Sequence, residues 1–261
     1  MSIIRSRSCK LFIVGPFLVG LLALLASTNS LGADENFQVA HAARALQPGE
    51  VLLISVEADR PLKGLKASSG DHNFPFHSKG GSTHWVGLVG IDLETPPGDV
   101  QIRLNGEDLN GEAVELKYQV TVLDKKFPTR QLTVDGKYVS PPQEELDRIA
   151  QESRRVSRIF ATITSERFWS GPFLRPVPGE ARSSFGKRSV YNGKPRSPHT
   201  GTDFKAAKGT PVKAPNNGRV VLVKDLYFAG NTVIIDHGQG LYSYFAHLSE
   251  FRVEEGEAVK A

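Results

Sequence analysis

The sequence predicts a mainly β protein with an N-terminal immunoglobulin-like β-sandwich, a linker helix and a C-terminal antiparallel β domain. Three observations lead to this fold class. Short runs rich in β-branched residues alternate apolar and polar side chains over residues 39–123 and 210–248. Turn sequences such as "QPGE", "TPPGD" and "HGQG" separate these runs. Between the two β-rich regions, residues 146–163 repeat their apolar side chains with the period of a helix.

Residues 1–33 are expected to be a signal peptide that is not part of the fold. Basic residues precede an apolar run from Leu11 to Ala26, small polar residues follow it, and Ala33 is the predicted cleavage position. An uncleaved membrane anchor is the alternative, because the run is close to the shortest length that spans a bilayer as a helix.

The composition restricts the chemistry of any site. The only cysteine, Cys9, lies in the predicted signal peptide, so the exported chain would form no disulfides and offer no thiolate ligands. A metal site must then use His, Asp or Glu side chains. The net charge of +4 would attract an anionic polymer, but basic and acidic residues are interspersed, so an ordinary solvated surface explains it equally well.

Residues 34–125 are predicted to form the β-sandwich. Four segments alternate with period two, namely "EVLLISVEA", "HWVGLVGIDL", "DVQIRLNG" and "VELKYQVTVL". Several short strands at this spacing favour an immunoglobulin-type sandwich, although no cysteine pair marks it. His72, His77 and His84 lack a carboxylate at ligand spacing and are therefore predicted to be surface or turn residues.

Residues 126–169 are predicted to be a linker that contains one helix. Ser140 with Gln143 three residues later matches a capping box, and Pro141 suits the first helical position. The apolar residues that follow share one helical face: Leu146, Ile149, Ala150, Val156, Ile159, Phe160 and Ile163. We expect the helix to dock this face on one of the two domains.

Residues 170–261 become β-rich again. Four segments are predicted to be strands: "TPVKAP", "GRVVLVKDL", "NTVIIDHG" and "LYSYFAHL". The turn "HGQG" between the last two predicts a hairpin.

The stretch "SPHTGTDF" places His199 and Asp203 four residues apart. Pro198 and Gly201 argue against a helix there. Because the separation is an even number, an extended chain also points both side chains to one side. With a local kink, an imidazole nitrogen and a carboxylate oxygen could reach one ion at about 2.0–2.2 Å each. Taken alone, such a pair is more often a hydrogen-bonded turn.

The surrounding motifs change this interpretation. "SSFGKR" precedes the pair, and "GTPVKAPNNGRVV" and "GNTVIIDHGQGLYSYFAHLSE" follow it. This ordered set over residues 170–261 resembles the lysostaphin-like, or LytM-domain, zinc metallopeptidases. The resemblance implies that His199 and Asp203 are zinc ligands and that His247, in "FAHL", is catalytic. The tyrosine of the family's Y-x-H-L motif would be Tyr244, one residue further upstream than in its shortest form.

The family's later H-x-H motif would supply the third zinc ligand and a second catalytic histidine, and this chain has no such motif. The chain is therefore expected to be a C-terminally truncated fragment whose metallopeptidase domain is incomplete. With two of three ligands, it is expected to bind zinc weakly and to be inactive by itself. His237, in "DHG", is expected to be structural, with Asp236 beside it to orient the imidazole.

The resemblance implies an exported zinc metalloendopeptidase of the bacterial periplasm or cell envelope that hydrolyses peptide cross-links of peptidoglycan. Its partners would be Zn2+ and peptidoglycan stem peptides, with no nucleic acid, and a membrane only if the N-terminal segment stays uncleaved. Two alternatives remain open. Some LytM-type domains are non-catalytic activators or scaffolds of cell-wall hydrolases. "GTPVKAPNNGRVV" also resembles biotinyl and lipoyl carriers, but "VKDL" matches their modified lysine poorly.

Overall fold

The computed structural model describes residues 36–78, 82–135, 139–182 and 184–261. The predicted signal peptide lies outside the described residues. The described chain divides into two compact units, an N-terminal unit that ends at Lys126 and a C-terminal unit that begins at Phe127. Within these ranges, no helix is both long and apolar enough to cross a membrane.

Among its described residues, the N-terminal unit contains seven strands that all pair antiparallel. They are β1 (Phe37–Ala43), β2 (Val51–Ala58), β3 (Leu62–Ser69), β4 (His72–Ser78), β5 (His84–Gly90), β6 (Gly98–Asp108) and β7 (Ala113–Val122). Their order in the sheet is β1-β2-β5-β4-β3-β6-β7. In a constant-type immunoglobulin domain, the first, second, fifth and fourth strands form one sheet, and the third, sixth and seventh form the other. The same two groups of strands occur here, but β4 also pairs with β3. The immunoglobulin-type sandwich itself stays a prediction.

The period-two pattern explains the core of this unit. On β2, Leu52, Ile54 and Val56 are buried, whereas the intervening Leu53 is exposed. The four segments predicted from alternation are confirmed as β2, β5, β6 and β7. Strands β1, β3 and β4 are not among the four predicted segments. Strand β3, for example, reads "LKGLKASS" and carries a glycine and two serines where a strand pattern needs apolar side chains.

The C-terminal unit contains one α-helix and nine strands among the described residues. The helix is α1 (Leu146–Ala161), preceded by a 3₁₀ turn at Gln143–Glu145. The strands are β8 (Thr129–Leu132), β9 (Ala181–Arg182), β10 (Arg188–Tyr191), β11 (Lys194–Pro195), β12 (Asp203–Phe204), β13 (Gly218–Leu226), β14 (Gly230–Gly238), β15 (Leu241–Phe245) and β16 (Ala258–Val259). They form a four-stranded antiparallel sheet in the order β15-β14-β13-β16, a three-stranded sheet β11-β10-β8 and the pair β12-β9.

The helix docks as predicted, but it begins later than predicted. Val156, Ile159 and Phe160 pack against a buried cluster of the four-stranded sheet that consists of Leu222, Leu226, Ile234 and Tyr242. The predicted capping box at Ser140 is wrong, because the residue that precedes α1 is Glu145 and it makes no side-chain cap. The cause is the pair of prolines at 141–142, since a residue before proline is restricted to extended conformations.

One of the four predicted C-terminal strands is also wrong. "TPVKAP" at residues 210–215 is not a strand, whereas the other three segments form β13, β14 and β15, the last two as the predicted hairpin. Pro211 and Pro215 lack the N–H groups that a strand ladder needs. The segment is held instead by single bonds, such as the one from the Lys213 N–H to the Pro176 carbonyl at 2.9 Å.

Candidate metal and catalytic site

The structure brings His199 and Asp203 together. His199 Nε2 lies 3.5 Å from Asp203 Oδ1, and the two side chains are 40% and 61% exposed. Asp203 is the first residue of β12, and His199 lies in the irregular segment before it. The two side chains lie on one side of the chain, as the sequence predicts, and both are partly exposed to solvent.

A bulge at Gly186 sets the backbone of His199. The Gly186 N–H donates to the His199 carbonyl at 2.8 Å, and the His199 N–H donates to the Lys187 carbonyl at 3.0 Å. With the φ of +78° at Gly186, these bonds have the pattern of a G1 β-bulge, a device that re-aims a side chain. A Cβ at Gly186 would also lie 2.0 Å from the ring of Phe127. This explains why a glycine stands in the middle of "SSFGKR".

Two contacts hold Asp203. Its backbone pairs with Arg182 of β9, so the carboxylate projects from a short antiparallel ladder. Ser184 Oγ donates a hydrogen bond of 2.7 Å to Asp203 Oδ2, the oxygen that does not face His199. Sequence reasoning assigned no role to Ser184, although it lies in the "SSFGKR" motif that carries part of the resemblance.

The separation of the two side chains fits a shared metal ion. Charge-assisted hydrogen bonds are about 2.7–2.9 Å long, so the 3.5 Å between His199 Nε2 and Asp203 Oδ1 is longer than such a hydrogen bond. Two ligands on a tetrahedral zinc ion at about 2.0–2.2 Å would lie about 3.3–3.6 Å apart. His199 Nδ1 is buried and has no hydrogen-bond partner among the described residues, so ordinary hydrogen bonding does not account for this ring.

The third ligand is not part of this arrangement. In the part of the chain that the structure describes, no group of three or more His, Cys, Asp or Glu side chains is placed to hold a metal ion. His199 and Asp203 are thus a candidate two-residue half-site, and His247 does not complete a three-residue group with them.

His247 is exposed and lies directly after β15, where the chain turns. Its φ of +57° is left-handed, a conformation that histidine adopts more readily than most residues. The His247 N–H donates to the Ala229 carbonyl at 2.9 Å, and the next N–H, of Leu248, donates to the Asn231 carbonyl at 3.1 Å. The turn between β13 and β14 therefore fixes the backbone that presents this imidazole.

Helix α1 in turn holds the start of that β13–β14 turn. Glu152 is a buried carboxylate on α1, and its Oε2 accepts the N–H of Tyr227 at 2.9 Å. Arg148 Nε donates to the other oxygen of Glu152 at 2.8 Å, which balances the buried charge. One hydrogen bond thus joins the helix to Tyr227 at the start of the turn, and another joins His247 to Ala229 at its end.

Comparison with known proteins identifies the C-terminal region. Residues 197–261 match the sequence profile of the family described as Peptidase family M23. These residues, about a quarter of the chain, are thus similar to peptidase family M23. A Pseudomonas aeruginosa protein whose crystal structure is assigned to peptidase M23 superposes with a TM-score of 0.62 and 28% identity, covering 83% of this chain and 80% of that one. The resemblance inferred from the motifs is confirmed.

Two curated relatives each match about a quarter of this chain. Peptidoglycan DD-endopeptidase ShyA of Vibrio cholerae is 41% identical over 63 residues, which are 24% of this chain and 15% of ShyA. DD-carboxypeptidase/endopeptidase Mpg of Neisseria meningitidis is 41% identical over 58 residues, which are 22% of this chain and 14% of Mpg. The matches therefore span only about a seventh of the length of these relatives.

The M23 region holds a second histidine beside an aspartate, in a different environment. His237 is fully buried on β14; its Nδ1 lies 2.7 Å from the Asn217 carbonyl and its Nε2 lies 2.7 Å from Ser243 Oγ. Burial lowers the pKa of His237, although the Asn217 carbonyl and Asp236 oppose the shift. Both ring nitrogens are used within the protein, so the geometry agrees with the expected structural role.

The expected role of Asp236 is wrong. Its carboxylate accepts the hydroxyl of Thr164 and, at 2.7 Å, the N–H of Gly238. It therefore fixes the turn after β14, and the imidazole of His237 is oriented by Asn217 and Ser243 instead. Adjacent residues on a strand point to opposite faces, which is why Asp236 does not reach the ring of its neighbour.

The tyrosine of the predicted Y-x-H-L motif lies under the helix. Tyr244 is half-buried and packs in the cluster beneath α1, with its ring centroid 6.3 Å from that of Phe160. Burial raises its pKa, so its hydroxyl stays protonated at neutral pH. This places Tyr244 among the residues that join the helix to the sheet.

The three histidines predicted to be surface or turn residues lie on strands of the N-terminal unit. His72 and His77 belong to β4, where both are half-buried, and His84 begins β5. His84 is exposed, and its Nε2 lies 3.3 Å from Glu57 Oε1 on the neighbouring strand. Glu57 and His84 are far apart in the sequence, and the pairing of β2 with β5 brings the carboxylate close to the imidazole. The spacing of residues in the sequence therefore could not predict this contact.

Proposed function

We propose that the complete protein is an exported zinc metalloendopeptidase that hydrolyses peptide cross-links of bacterial peptidoglycan. The observation that carries the proposal is the 3.5 Å separation of His199 Nε2 and Asp203 Oδ1, a distance suited to two ligands of one zinc ion. The names of ShyA and Mpg support the reaction and the substrate class.

His199 and Asp203 would hold the zinc ion, and the third ligand is expected from an H-x-H motif, which residues 1–261 do not contain. A zinc ion with three protein ligands and one open position lowers the pKa of a bound water to about 7 and polarises the scissile carbonyl. One imidazole and one carboxylate are suitable donors for zinc. The half-site alone is expected to bind zinc weakly and to be inactive.

His247 would carry out the proton transfers. Histidine accepts and donates protons near neutral pH, so His247 would take a proton from the attacking water or donate one to the developing oxyanion. Its exposure leaves the imidazole accessible to a polymeric substrate. The hydrogen bond from the His247 N–H to the Ala229 carbonyl fixes the backbone from which the imidazole projects.

The location and partners belong to the same proposal. The layout of residues 1–33 supports export to the periplasm or cell envelope, either cleaved or as an anchor. Peptidoglycan stem peptides are the proposed substrate.

A second candidate function is a non-catalytic activator or scaffold of cell-wall hydrolases. The observation that favours it is the missing third donor, since no group of three metal-binding side chains occurs among the described residues. The retained half-site and the accessible His247 favour the enzyme.

Activity and zinc content of the complete protein test the proposal together. The variants are His199→Ala and His247→Ala, and the control is His84→Ala, which removes an exposed histidine from the N-terminal unit. We expect both site variants to lose at least about 100-fold of the hydrolysis of purified peptidoglycan. His199→Ala should also lose zinc, His247→Ala should keep it, and His84→Ala should resemble the wild type.

Other outcomes would contradict the assignment. Unchanged hydrolysis in His199→Ala or His247→Ala would show that the site is elsewhere. A wild-type protein that holds no zinc and cleaves nothing, but accelerates another hydrolase, would favour the activator. Zinc affinity in the micromolar range or tighter for residues 1–261 alone, at neutral pH, would contradict the two-ligand half-site.

A further inference from the structure

We propose that Ser184 is a positioning residue for the metal carboxylate. It holds Oδ2 of Asp203 so that Oδ1 alone is presented toward His199. The inference rests on the proposed function, because it concerns the same half-site. It concerns a residue of the "SSFGKR" motif that precedes the segment matched to family M23.

The two oxygens of Asp203 have different neighbours. Oδ2 accepts the hydroxyl of Ser184 at 2.7 Å, the length of a strong hydrogen bond from a hydroxyl to a carboxylate. Oδ1 faces His199 Nε2 at 3.5 Å. The hydrogen bond therefore fixes the rotation of the carboxylate and assigns one oxygen to the protein and the other to the site.

Local backbone bonds place Ser184 for this task. Its N–H donates to the Arg182 carbonyl at 2.8 Å, and its own carbonyl accepts the Lys187 N–H at 3.1 Å. Arg182 lies opposite Asp203 in the β9–β12 pair, which brings the start of this turn beside the carboxylate.

The same short segment also sets the other ligand. Gly186, two residues after Ser184, forms the bulge, and its N–H donates a hydrogen bond to the carbonyl of His199. Residues 184–187 thus position the carboxylate through the Ser184 hydroxyl and the imidazole through the bulge at Gly186. The two ligands share one support, which explains how a half-site keeps its geometry on strands of only two residues.

The expected consequence is a change in metal affinity. Groups that hydrogen-bond a metal ligand fix its orientation, and their removal typically weakens metal binding about 10–100-fold. Without the hydroxyl, the exposed carboxylate of Asp203 would rotate freely and would have to be ordered when the ion binds. A serine that only caps its turn would instead affect folding and leave metal affinity unchanged.

Zinc affinity of the complete protein, measured by competition with a chromophoric chelator, tests the inference. The test variant is Ser184→Ala, and Ser184→Thr is the conservative variant that keeps the hydroxyl. Ser197→Ala removes an exposed hydroxyl two residues before His199 and is the matched control. Asp203→Ala serves as the reference for loss of a ligand.

We expect Ser184→Ala to bind zinc about 10–100-fold more weakly. Ser184→Thr and Ser197→Ala should stay within about threefold of the wild type. If Ser184→Ala binds as the wild type does while Asp203→Ala loses zinc, the inference fails and the proposed function stands. If Ser184→Thr is as weak as Ser184→Ala, the hydroxyl is not the cause and the inference also fails. If Asp203→Ala keeps wild-type affinity, the half-site itself is wrong.

Discussion

Two places in the M23 region bring a histidine and an aspartate close together in the sequence, and the fold treats them differently. On β14, Asp236 and His237 are both buried, and their polar atoms are bonded within the protein. In the segment before β12, His199 and Asp203 are exposed and face each other at 3.5 Å. In the regular sheet, the side chains of the first pair find hydrogen-bond partners within the protein. Beside the short β9–β12 ladder, the Nδ1 atom of the His199 ring in the second pair does not find a hydrogen-bond partner among the described residues.

The difference shows what distinguishes a structural pair from a candidate metal site. A fully bonded imidazole such as that of His237 has no nitrogen to offer an ion. His199 has one nitrogen directed at a carboxylate oxygen and another that is buried without a partner among the described residues. A candidate metal site is therefore distinguished by a ring nitrogen that no hydrogen bond within the protein occupies. The closeness of a histidine and an aspartate in the sequence does not distinguish it.

A large difference in stability is expected from the same substitution at the two histidines. His237→Ala removes two buried hydrogen bonds and leaves a cavity, so we expect the free energy of unfolding of the C-terminal unit to fall by about 2–4 kcal/mol. His199→Ala removes an exposed side chain and should change it by no more than about 0.5 kcal/mol. Urea unfolding measures the free energy of unfolding of both variants. Equal losses would show that His237 is no more important for stability than His199.

Two glycines with nearly the same backbone test the support of the metal half-site. Gly186 and Gly193 have φ values of +78° and +79°, but of the two only Gly186 would bring an added Cβ within 4 Å of a neighbour, the ring of Phe127 at 2.0 Å. Gly193→Ala should lose about 1–2 kcal/mol from the left-handed conformation alone. Gly186→Ala should lose about 1–3 kcal/mol more from overpacking, and it should weaken zinc binding.

Thermal unfolding and zinc competition measure these two effects. Equal stability losses in the two alanine variants, with zinc affinity unchanged in both, would show that the bulge at Gly186 does not support His199.

A smaller effect is expected where α1 contacts the β13–β14 turn. Glu152→Ala leaves the N–H of Tyr227 without its buried acceptor, which should cost about 1–3 kcal/mol. Arg155→Ala on the same helix breaks a partly exposed pair with Glu255 and should cost at most about 1 kcal/mol. Hydrogen exchange at the amides of Tyr227 and His247 should quicken in the first variant only. Similar exchange in both variants would show that the Glu152 bond does not stabilise the backbone at His247.

The smallest effect is the pH dependence of stability. Burial lowers the pKa of His237 in the folded protein, so the unfolded chain binds more protons once the pH falls below about 6.5. The stability of the C-terminal unit should therefore be complete above this pH and decrease as the pH falls from there toward the folded pKa. Comparison of His237→Gln with the wild type by urea unfolding at pH 7.5 and 5.5 should show a weaker pH dependence in the variant. An equal dependence would assign it to other groups.

The sequence predicted the regular parts of the fold better than their connections. Strong alternation located β13, β14 and β15, and helical spacing located α1, because burial of one face imposes those periods. Prolines overturned the two local predictions that failed, the capping box at Ser140 and the strand at residues 210–215. Both positions matched a local pattern but lacked the backbone freedom or the N–H groups that the pattern requires.

The sequence predicted the residues of the candidate site but not the residues that hold them in position. The spacing of His199 and Asp203 indicated that their side chains share one side, and the structure places them so. The roles of Ser184 and Gly186 depend on a hydrogen bond across 19 residues and a bulge opposite His199, which no local pattern contains. The link from Glu152 to Tyr227 spans 75 residues and was equally hidden.

A zinc titration of residues 1–261 followed by NMR of the histidine side chains tests the central claim most directly. We predict that the imidazole signals of His199 shift as zinc is added, that Asp203→Asn abolishes the shift, and that the signals of His237 do not move. Zinc-dependent shifts of His237 at the same concentrations, or a His199 signal that stays unchanged at millimolar zinc, would contradict the assignment of the exposed pair as the metal half-site.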